Sequence, residues 1–325
     1  MRKTLGFVFV AICVATAFGF IPRPLGYQPP PVPDEPFGDW LIAQQSASRE
    51  AGVRAGDAEK FLRLKHGKTP IAILYLHGFG SAPAEGEAVV DWLAKDLKAN
   101  VYYPRLPGHG LDDPDAHAEA GFNQWLDTSE QAFEQVHGWL GDRVLLVGTS
   151  MGGLLATWLA ARHPDRVAGV ILASPFYDWA SPSGFLMERP LGPPLARLRY
   201  GSIRDAGWSA DPDGRKHEFY GKHWTIEQRW SALRNLGDLR RWVVNDDVLA
   251  HVQAPVLLLH HPGDDAASVG AMQRTFEQFA AHPASRMVAI EDGHHILLSK
   301  YVRTDKAAIR AAISGFVADV GLRAE

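Results

Sequence analysis

Three residue types set in three separate loops carry the chemistry of this chain. The first is a serine in Gly148-Thr149-Ser150-Met151-Gly152-Gly153. Arg143-Val144-Leu145-Leu146-Val147 precedes it as a short apolar run, and Leu154 to Arg162 follows with a helical pattern. A strand, a glycine-bracketed serine and a helix predict a sharp turn that lifts the hydroxyl clear of a sheet. Side chains two residues to either side would collide in so tight a turn, hence glycine at 148 and 152. A serine hydroxyl is a weak nucleophile at neutral pH, so it needs a base in hydrogen-bond reach, and that base needs an orienting carboxylate.

In parallel sheets, sites form at the carboxyl ends of strands, which directs the search to strand ends downstream of Ser150. His261-Pro262-Gly263-Asp264-Asp265 follows the apolar run Pro255 to His260. Of its two carboxylates Asp264 is preferred, because Asp264 to Ser268 fits a tight turn into the next helix. Asp265 would then point outward and help cap that helix. Glu291-Asp292-Gly293-His294-His295 follows the apolar run Arg286 to Ile290. Here His295 is preferred to His294, since Ile296-Leu297-Leu298 anchors the loop directly behind it. The paired histidines with either aspartate could instead ligate a metal, a reading that leaves Ser150 without a purpose. The oxyanion of a tetrahedral intermediate needs two N–H donors. Met151, at the helix N-terminus, supplies one. Phe79, in His77-Gly78-Phe79-Gly80 after the apolar run Ile71 to Leu76, supplies the other. His77 and His109 have structural roles in their loops, and the other histidines, His117 and His163 among them, are read as surface or lid residues.

The elements that must position these groups alternate. Strands are expected near Glu59–Leu64, Ile71–Leu76, Val101–Tyr103, Arg143–Val147, Val167–Ala173, Pro255–His260 and Arg286–Ile290. Helices are expected from Asp39 (a candidate cap), over Glu85–Leu97, Ala118–Leu140, Leu154–Arg162, Val269–Ala281 and Thr304–Val320. Alternation of this kind implies a mostly parallel sheet covered by helices on both faces. From Ser174 to Val252 the rhythm breaks into a segment rich in Pro, Gly and aromatics. It is too long for a structureless connection and is expected to form a helical cap over the carboxyl ends of the strands, with aromatics lining an apolar acyl or ring pocket.

Ahead of this domain, Arg2-Lys3 and the apolar stretch from residue 5 to 21 predict a signal peptide or N-terminal membrane anchor, and so an exported, periplasmic or anchored protein. Residues 22–36 hold seven prolines and predict an extended linker. The predicted domains are thus 1–21, 22–36, a core of 37–173 with 253–325, and a cap of 174–252. The sole cysteine, Cys13, lies in the leading segment, which excludes disulfides and thiolate chemistry elsewhere. A net charge of −4 without long like-charge runs gives no support for nucleic-acid binding. No cofactor is implied, and the oligomeric state is not legible.

Taken together, the HGFG loop at 77–80, Arg105-Leu106-Pro107-Gly108-His109-Gly110, the Ser150 turn, Asp264 and His295 resemble the α/β-hydrolase superfamily, in its order of Ser, Asp, His. The resemblance spans Pro70 to Phe316. Within the superfamily it is most similar to bacterial carboxylesterases and to monoacylglycerol-lipase-like or lysophospholipase-like enzymes. One departure is His261, where many relatives have Gly. The resemblance implies an α/β-hydrolase fold and a serine hydrolase that cleaves carboxylic esters (an acylglycerol, a lysophospholipid or another acyl ester) through an acyl-enzyme. The alternatives are an acyltransferase, an amidase or peptidase on the same triad, and a non-catalytic binding protein on this fold.

Overall fold

The computed structural model describes residues 21, 24–206, 222–279 and 281–323. The expected signal or anchor therefore lies outside the described residues except for Ile21. Among the described residues no helix is long and apolar enough to cross a membrane.

Seven strands form one sheet in the order β1-β3-β2-β4-β5-β8-β9. They are β1 (Lys60–Leu62), β2 (Thr69–Leu76), β3 (Val101–Tyr103), β4 (Gly141–Thr149), β5 (Val167–Ala173), β8 (Val256–His260) and β9 (Arg286–Ala289). Only the edge strand β1 runs antiparallel, against β3; the other pairings are parallel. The sheet is mostly parallel and helix-covered, the α/β-hydrolase architecture.

Its central strands read as unbroken apolar runs because both faces are covered. Ala72, Leu74 and Leu76 of β2 join Val144 and Leu146 of β4 in one core. Ile73 and Tyr75 join Leu145 and Val147 in the other. The first core is covered by α1 (Phe37–Glu50), α4 (Phe122–Gln135) and α5 (Met151–Arg162), the second by α2 (Glu87–Leu97) and α10 (Lys306–Asp319).

Several expectations need correction. Helix α1 begins at Phe37 behind Pro36, so Asp39 sits inside its first turn and is not its cap. The single helix expected over Ala118–Leu140 is three pieces: α3 (Pro114–Glu119), α4, and a wider turn of π type at Val136–Leu140. The break falls at Ala120-Gly121, where the backbone turns extended and the Gln124 side chain accepts the Gly121 N–H. Helix α9 (Val269–Phe276) is capped by Ser268, whose side chain accepts the Ala271 N–H, so Asp265 does not cap it. The proline-rich stretch is not a free linker. Leu25 and Tyr27 pack on the core, with Tyr27 set edge-on to Trp158 and Trp242, and Gln135 donates to the carbonyls of Pro33 and Glu35. Proline has no N–H to satisfy, so an extended run of this kind can lie along a helix surface with few backbone partners.

The segment expected as a cap contains a 3₁₀ turn at Pro182–Glu188, α6 (Gly192–Tyr200), α7 (Trp230–Val243) and the short α8 (Asp246–Leu249). It also holds a two-stranded antiparallel ribbon absent from the sequence reading, β6 (Ile203–Asp205) with β7 (Glu227–Arg229). A buried Glu188 organises the helical part. Arg240 donates to both its carboxylate oxygens at 2.7 Å, and the Trp179 indole donates at 2.8 Å. Bidentate geometry and a third donor offset the cost of burying that charge.

Candidate active site

Ser150 occupies the turn between β4 and α5 with φ 52° and ψ −113°. A non-glycine residue at positive φ is strained, and surrounding structure must enforce it. The glycines supply that enforcement by allowing contact. A Cβ on Gly152 would lie 1.9 Å from the Leu76 carbonyl oxygen, and one on Gly148 would lie 2.3 Å from that of Gly152. With no side chains there, α5 can start directly against the end of β2. It starts at Met151 rather than Leu154, which puts the Met151 N–H at a helix N-terminus, where it has no acceptor within the helix.

Beside it, His295 Nε2 lies 2.9 Å from Ser150 Oγ. Its Nδ1 lies 2.8 and 3.0 Å from the two oxygens of Asp264. The Asp264 side chain is fully buried, and its Oδ1 also accepts the N–H groups of Ala266 and Ala267 at 3.0 and 2.9 Å. These backbone donors orient the carboxylate toward the imidazole. Of the paired candidates, Asp264 and His295 are therefore the two brought to Ser150, whereas Asp265 is exposed. His294 turns back on its own loop, its Nδ1 accepting the Ile296 N–H.

Charge follows this geometry. Burial alone would lower the His295 imidazole; the charge and hydrogen bond of Asp264 outweigh it and raise the ring above its ordinary value. For Asp264 burial acts upward, but His295 and the two backbone N–H groups carry the carboxyl below its usual range. Each partner thus favours the other's charged form.

A further carboxyl lies beneath the site, and the sequence reading missed it. Glu85 is fully buried at the end of a 3₁₀ turn (Pro83–Glu85), two residues short of α2. It accepts the Gly78 N–H and the Tyr75 hydroxyl, each at 2.8 Å, and the Tyr75 oxygen lies 3.1 Å from Thr149 Oγ1. This network ties the loop carrying Phe79 to Thr149, the residue preceding Ser150. Burial pushes the Glu85 carboxyl up to about 7, against the Gly78 N–H, the Tyr75 hydroxyl and His295. Its one sequence signal was an acidic residue between Ala84 and Gly86, and that equally marks a helix start.

His77 Nε2 accepts the Leu106 N–H, which joins the 77–80 loop to the 105–110 loop. His109 and His117 pack edge-on with ring centroids 4.6 Å apart, and His117 lies against Phe79. His117 is wholly buried, contrary to the surface or lid position expected for it; it faces inward from α3 where the helix break at Gly121 folds that segment over the loops. His163 is buried as well, stacked on Phe133 with its Nε2 2.9 Å from Glu130.

Above Ser150 and His295 opens a cavity of about 470 Å³. Phe79, Phe176, Trp179, Trp224, Leu233 and Leu236 give it apolar walls. Of the aromatics expected in the cap, Phe176, Trp179 and Trp224 line it. Tyr177 is buried in the core, Phe185 and Tyr200 are exposed, and Trp208, Phe219 and Tyr220 lie outside the described residues. The acid loop is pinned to the start of this segment: the Ser268 N–H donates to the Asp178 carbonyl, and that of Ala180 to the Ala266 carbonyl.

This chain is 33% identical over 105 residues to the thermostable monoacylglycerol lipase of Bacillus sp. (strain H-257); the match spans 31% of this chain and 39% of that lipase. It is 26% identical over 260 residues to the pimeloyl-[acyl-carrier protein] methyl ester esterase of Aromatoleum aromaticum, spanning 70% of this chain and 92% of that protein. The solved monoacylglycerol lipase of Paleococcus ferrophilus has the same fold, with a TM-score of 0.60 at 18% identity over 81% of this chain and 98% of that one. The family model described as serine aminopeptidase, S33, matches residues 67–300, and the chain belongs to that family of α/β-hydrolases.

Proposed function

We propose that this protein hydrolyses carboxylic esters of small or medium acyl chains through an acyl-enzyme on Ser150. The unbroken hydrogen-bonded line from Asp264 through His295 to Ser150, ending at the floor of an apolar cavity, carries the reading. His295 takes the Ser150 proton as the hydroxyl attacks the ester carbonyl. Asp264 holds the tautomer with the proton on Nδ1 and steadies the imidazolium. The N–H groups of Phe79 and Met151 bind the oxyanion, one from the loop after β2 and the other from the start of α5. On collapse of the tetrahedral intermediate His295 protonates the leaving alcohol. It then deprotonates the water that releases the acid and restores the Ser150 hydroxyl. The apolar walls suit the acyl chain, and similarity to a monoacylglycerol lipase and a methyl ester esterase supports ester over amide. The cationic flank and apolar run of residues 1–21 support an exported or membrane-anchored location, with that segment as the route to a membrane.

A fluorophosphonate probe is expected to label the protein at Ser150, with turnover of p-nitrophenyl esters and loss of both in Ser150→Ala. Labelling without turnover would point to transfer of the acyl group to an acceptor other than water. Absence of labelling and of turnover in the wild type would overturn the reading.

A further inference from the structure

The cavity wall carries a feature that cleavage of a plain acyl ester does not use. Arg204 lines it, and among the described residues no other guanidinium or ammonium group does. The ribbon of β6 and β7 places Arg204 directly across from Gln228. Arg204 Nη1 donates to Gln228 Oε1 at 2.7 Å. Gln228 is completely buried, and its amide Nε2 donates to the Thr225 carbonyl at 2.8 Å, which leaves the amide oxygen aimed at the guanidinium. The Thr225 N–H in turn donates to the Gly80 carbonyl at 2.7 Å. The arginine is thus mounted on the loop that carries Phe79. Gly80 is needed for that mounting: it has φ +78°, and a Cβ there would lie 2.7 Å from Gln228 Nε2.

A guanidinium offers five N–H donors in a fixed fork. Gln228 takes one, and no carboxylate lies within ion-pair distance of Arg204 among the described residues. Asp205, its chain neighbour, and Asp265, which also lines the cavity, are both exposed; the Asp205 charge acts on the cation in the raising direction and is outweighed by burial. Burial pulls the guanidinium below its ordinary value, the direction for a cation withdrawn from water without a paired anion. Removing a cation from water is costly unless a partner arrives. A planar fork facing an open cavity fits an oxyanion bidentately.

We propose that Arg204, held by Gln228, is the specificity element of this site and binds a carboxylate or phosphate on the substrate, remote from the scissile ester. The substrate class is then an anionic acyl ester: a monoester of a dicarboxylic acid if the charge is on the acyl side, or an acyl ester of a phosphorylated alcohol if on the other. This rests on the ester-hydrolase reading and extends it.

Two matched pairs test it on the full-length protein. p-Nitrophenyl hexanoate against mono-p-nitrophenyl adipate differ by a carboxylate at the acyl end. A 1-acylglycerol against the same 1-acylglycerol 3-phosphate differ by a phosphate on the alcohol. In one pair kcat/KM is expected to favour the anionic ester by about tenfold or more, mainly through KM, and the favoured pair tells which source supplies the oxyanion. Arg204→Met is expected to bring that ratio down toward one, and Arg204→Lys to keep part of it. Equal or poorer use of the anionic ester in both pairs, with neutral esters turned over and Ser150 labelled, overturns the proposal and leaves the hydrolase standing. A preference that survives Arg204→Met overturns it too, since Arg204 would then only brace the ribbon. No turnover of any ester, with no labelling of Ser150, overturns the hydrolase reading itself and the proposal with it.

Discussion

Two sets of buried imidazoles flank the Ser150 turn, and their surroundings shift them in opposite directions. On one side is His295. On the other are His77, His109 and His117, of which His109 and His117 pack on Phe79 and His77 packs on His109. All four are buried. Desolvation lowers His109 to about 4 and holds His77 and His117 well below the ordinary imidazole value. The same desolvation acts on His295, yet its ring is raised. The largest part of the difference is Asp264 at 2.8 Å, itself fixed by two backbone N–H groups, with smaller contributions from the Glu85 and Asp265 carboxylates. Burial alone gives a neutral packing imidazole; burial with a buried carboxylate on Nδ1 gives a base that stabilises its own protonated form.

Removing the carboxylate breaks this contrast most sharply. Asp264→Asn is expected to lower kcat/KM by about 10⁴-fold, because an asparagine neither fixes the tautomer nor stabilises the imidazolium. In the same variant the acid limb of the kcat/KM profile should move to lower pH, since His295 loses the charge that raised it. Ester turnover across pH 5–9, with circular dichroism to confirm folding, measures both. A fall of less than about tenfold would mean that another group orients His295.

How much of this was legible without coordinates follows from where each constraint lies along the chain. The Ser150 turn could be read because its demands are local: a β-branched strand, two glycines whose absent Cβ atoms let α5 meet β2, and a helix within twelve residues. Asp264 and His295 stand at the ends of β8 and β9, where apolar runs stop, so their loops could be found. Choosing between neighbours rested on the anchoring residues that follow. Glu85 escaped because its partners, Tyr75 and Gly78, sit on the adjacent strand and loop, and its local sequence also suits a helix start. The β6–β7 ribbon escaped because strands of three residues have no periodicity to detect. His117 was misplaced because a histidine among Ala and Glu in a short helix carries no local sign of burial.

Glu85 sharpens the comparison from the carboxyl side. It is a buried acid without a cation in contact among the described residues, raised to about 7, where Asp264 with its imidazole is lowered. Its carboxyl binds the proton more tightly in the folded state than in the unfolded chain, near 4.5. That contribution to stability is complete below the unfolded value and is lost as pH rises through about 7. Over this window the loss is on the order of 3 kcal/mol. Glu85→Gln should therefore flatten the decline in stability between pH 5 and 8, as read by urea denaturation at each pH. Deprotonated Glu85 also favours the His295 imidazolium, so removing its charge should shift the acid limb of kcat/KM to lower pH by a few tenths of a unit, a smaller move than Asp264→Asn produces. An unchanged limb would mean that the carboxyl stays neutral throughout turnover.

The smallest effect tests the other side of the comparison. Both ring nitrogens of His117 are buried without a hydrogen-bond partner among the described residues, and the ring lies 4.5 Å from Phe79 and 4.6 Å from His109 between centroids. A buried polar atom left unpaired costs about 1–3 kcal/mol, whereas an apolar group of similar shape in its place costs nothing of that kind. His117→Phe removes two such atoms and keeps a planar ring against Phe79 and His109. It is expected to raise the unfolding free energy by about 1 kcal/mol, after some loss to the larger ring, and to change kcat/KM for a neutral ester by less than about threefold. Thermal denaturation and p-nitrophenyl butyrate turnover read the two effects. Destabilisation, or a large loss of turnover, would show that His117 holds a polar partner inside the cluster. The imidazoles around Phe79 would then form a hydrogen-bonded support for the 77–80 loop, and the contrast with His295 would rest on hydrogen bonds as well as on carboxylates.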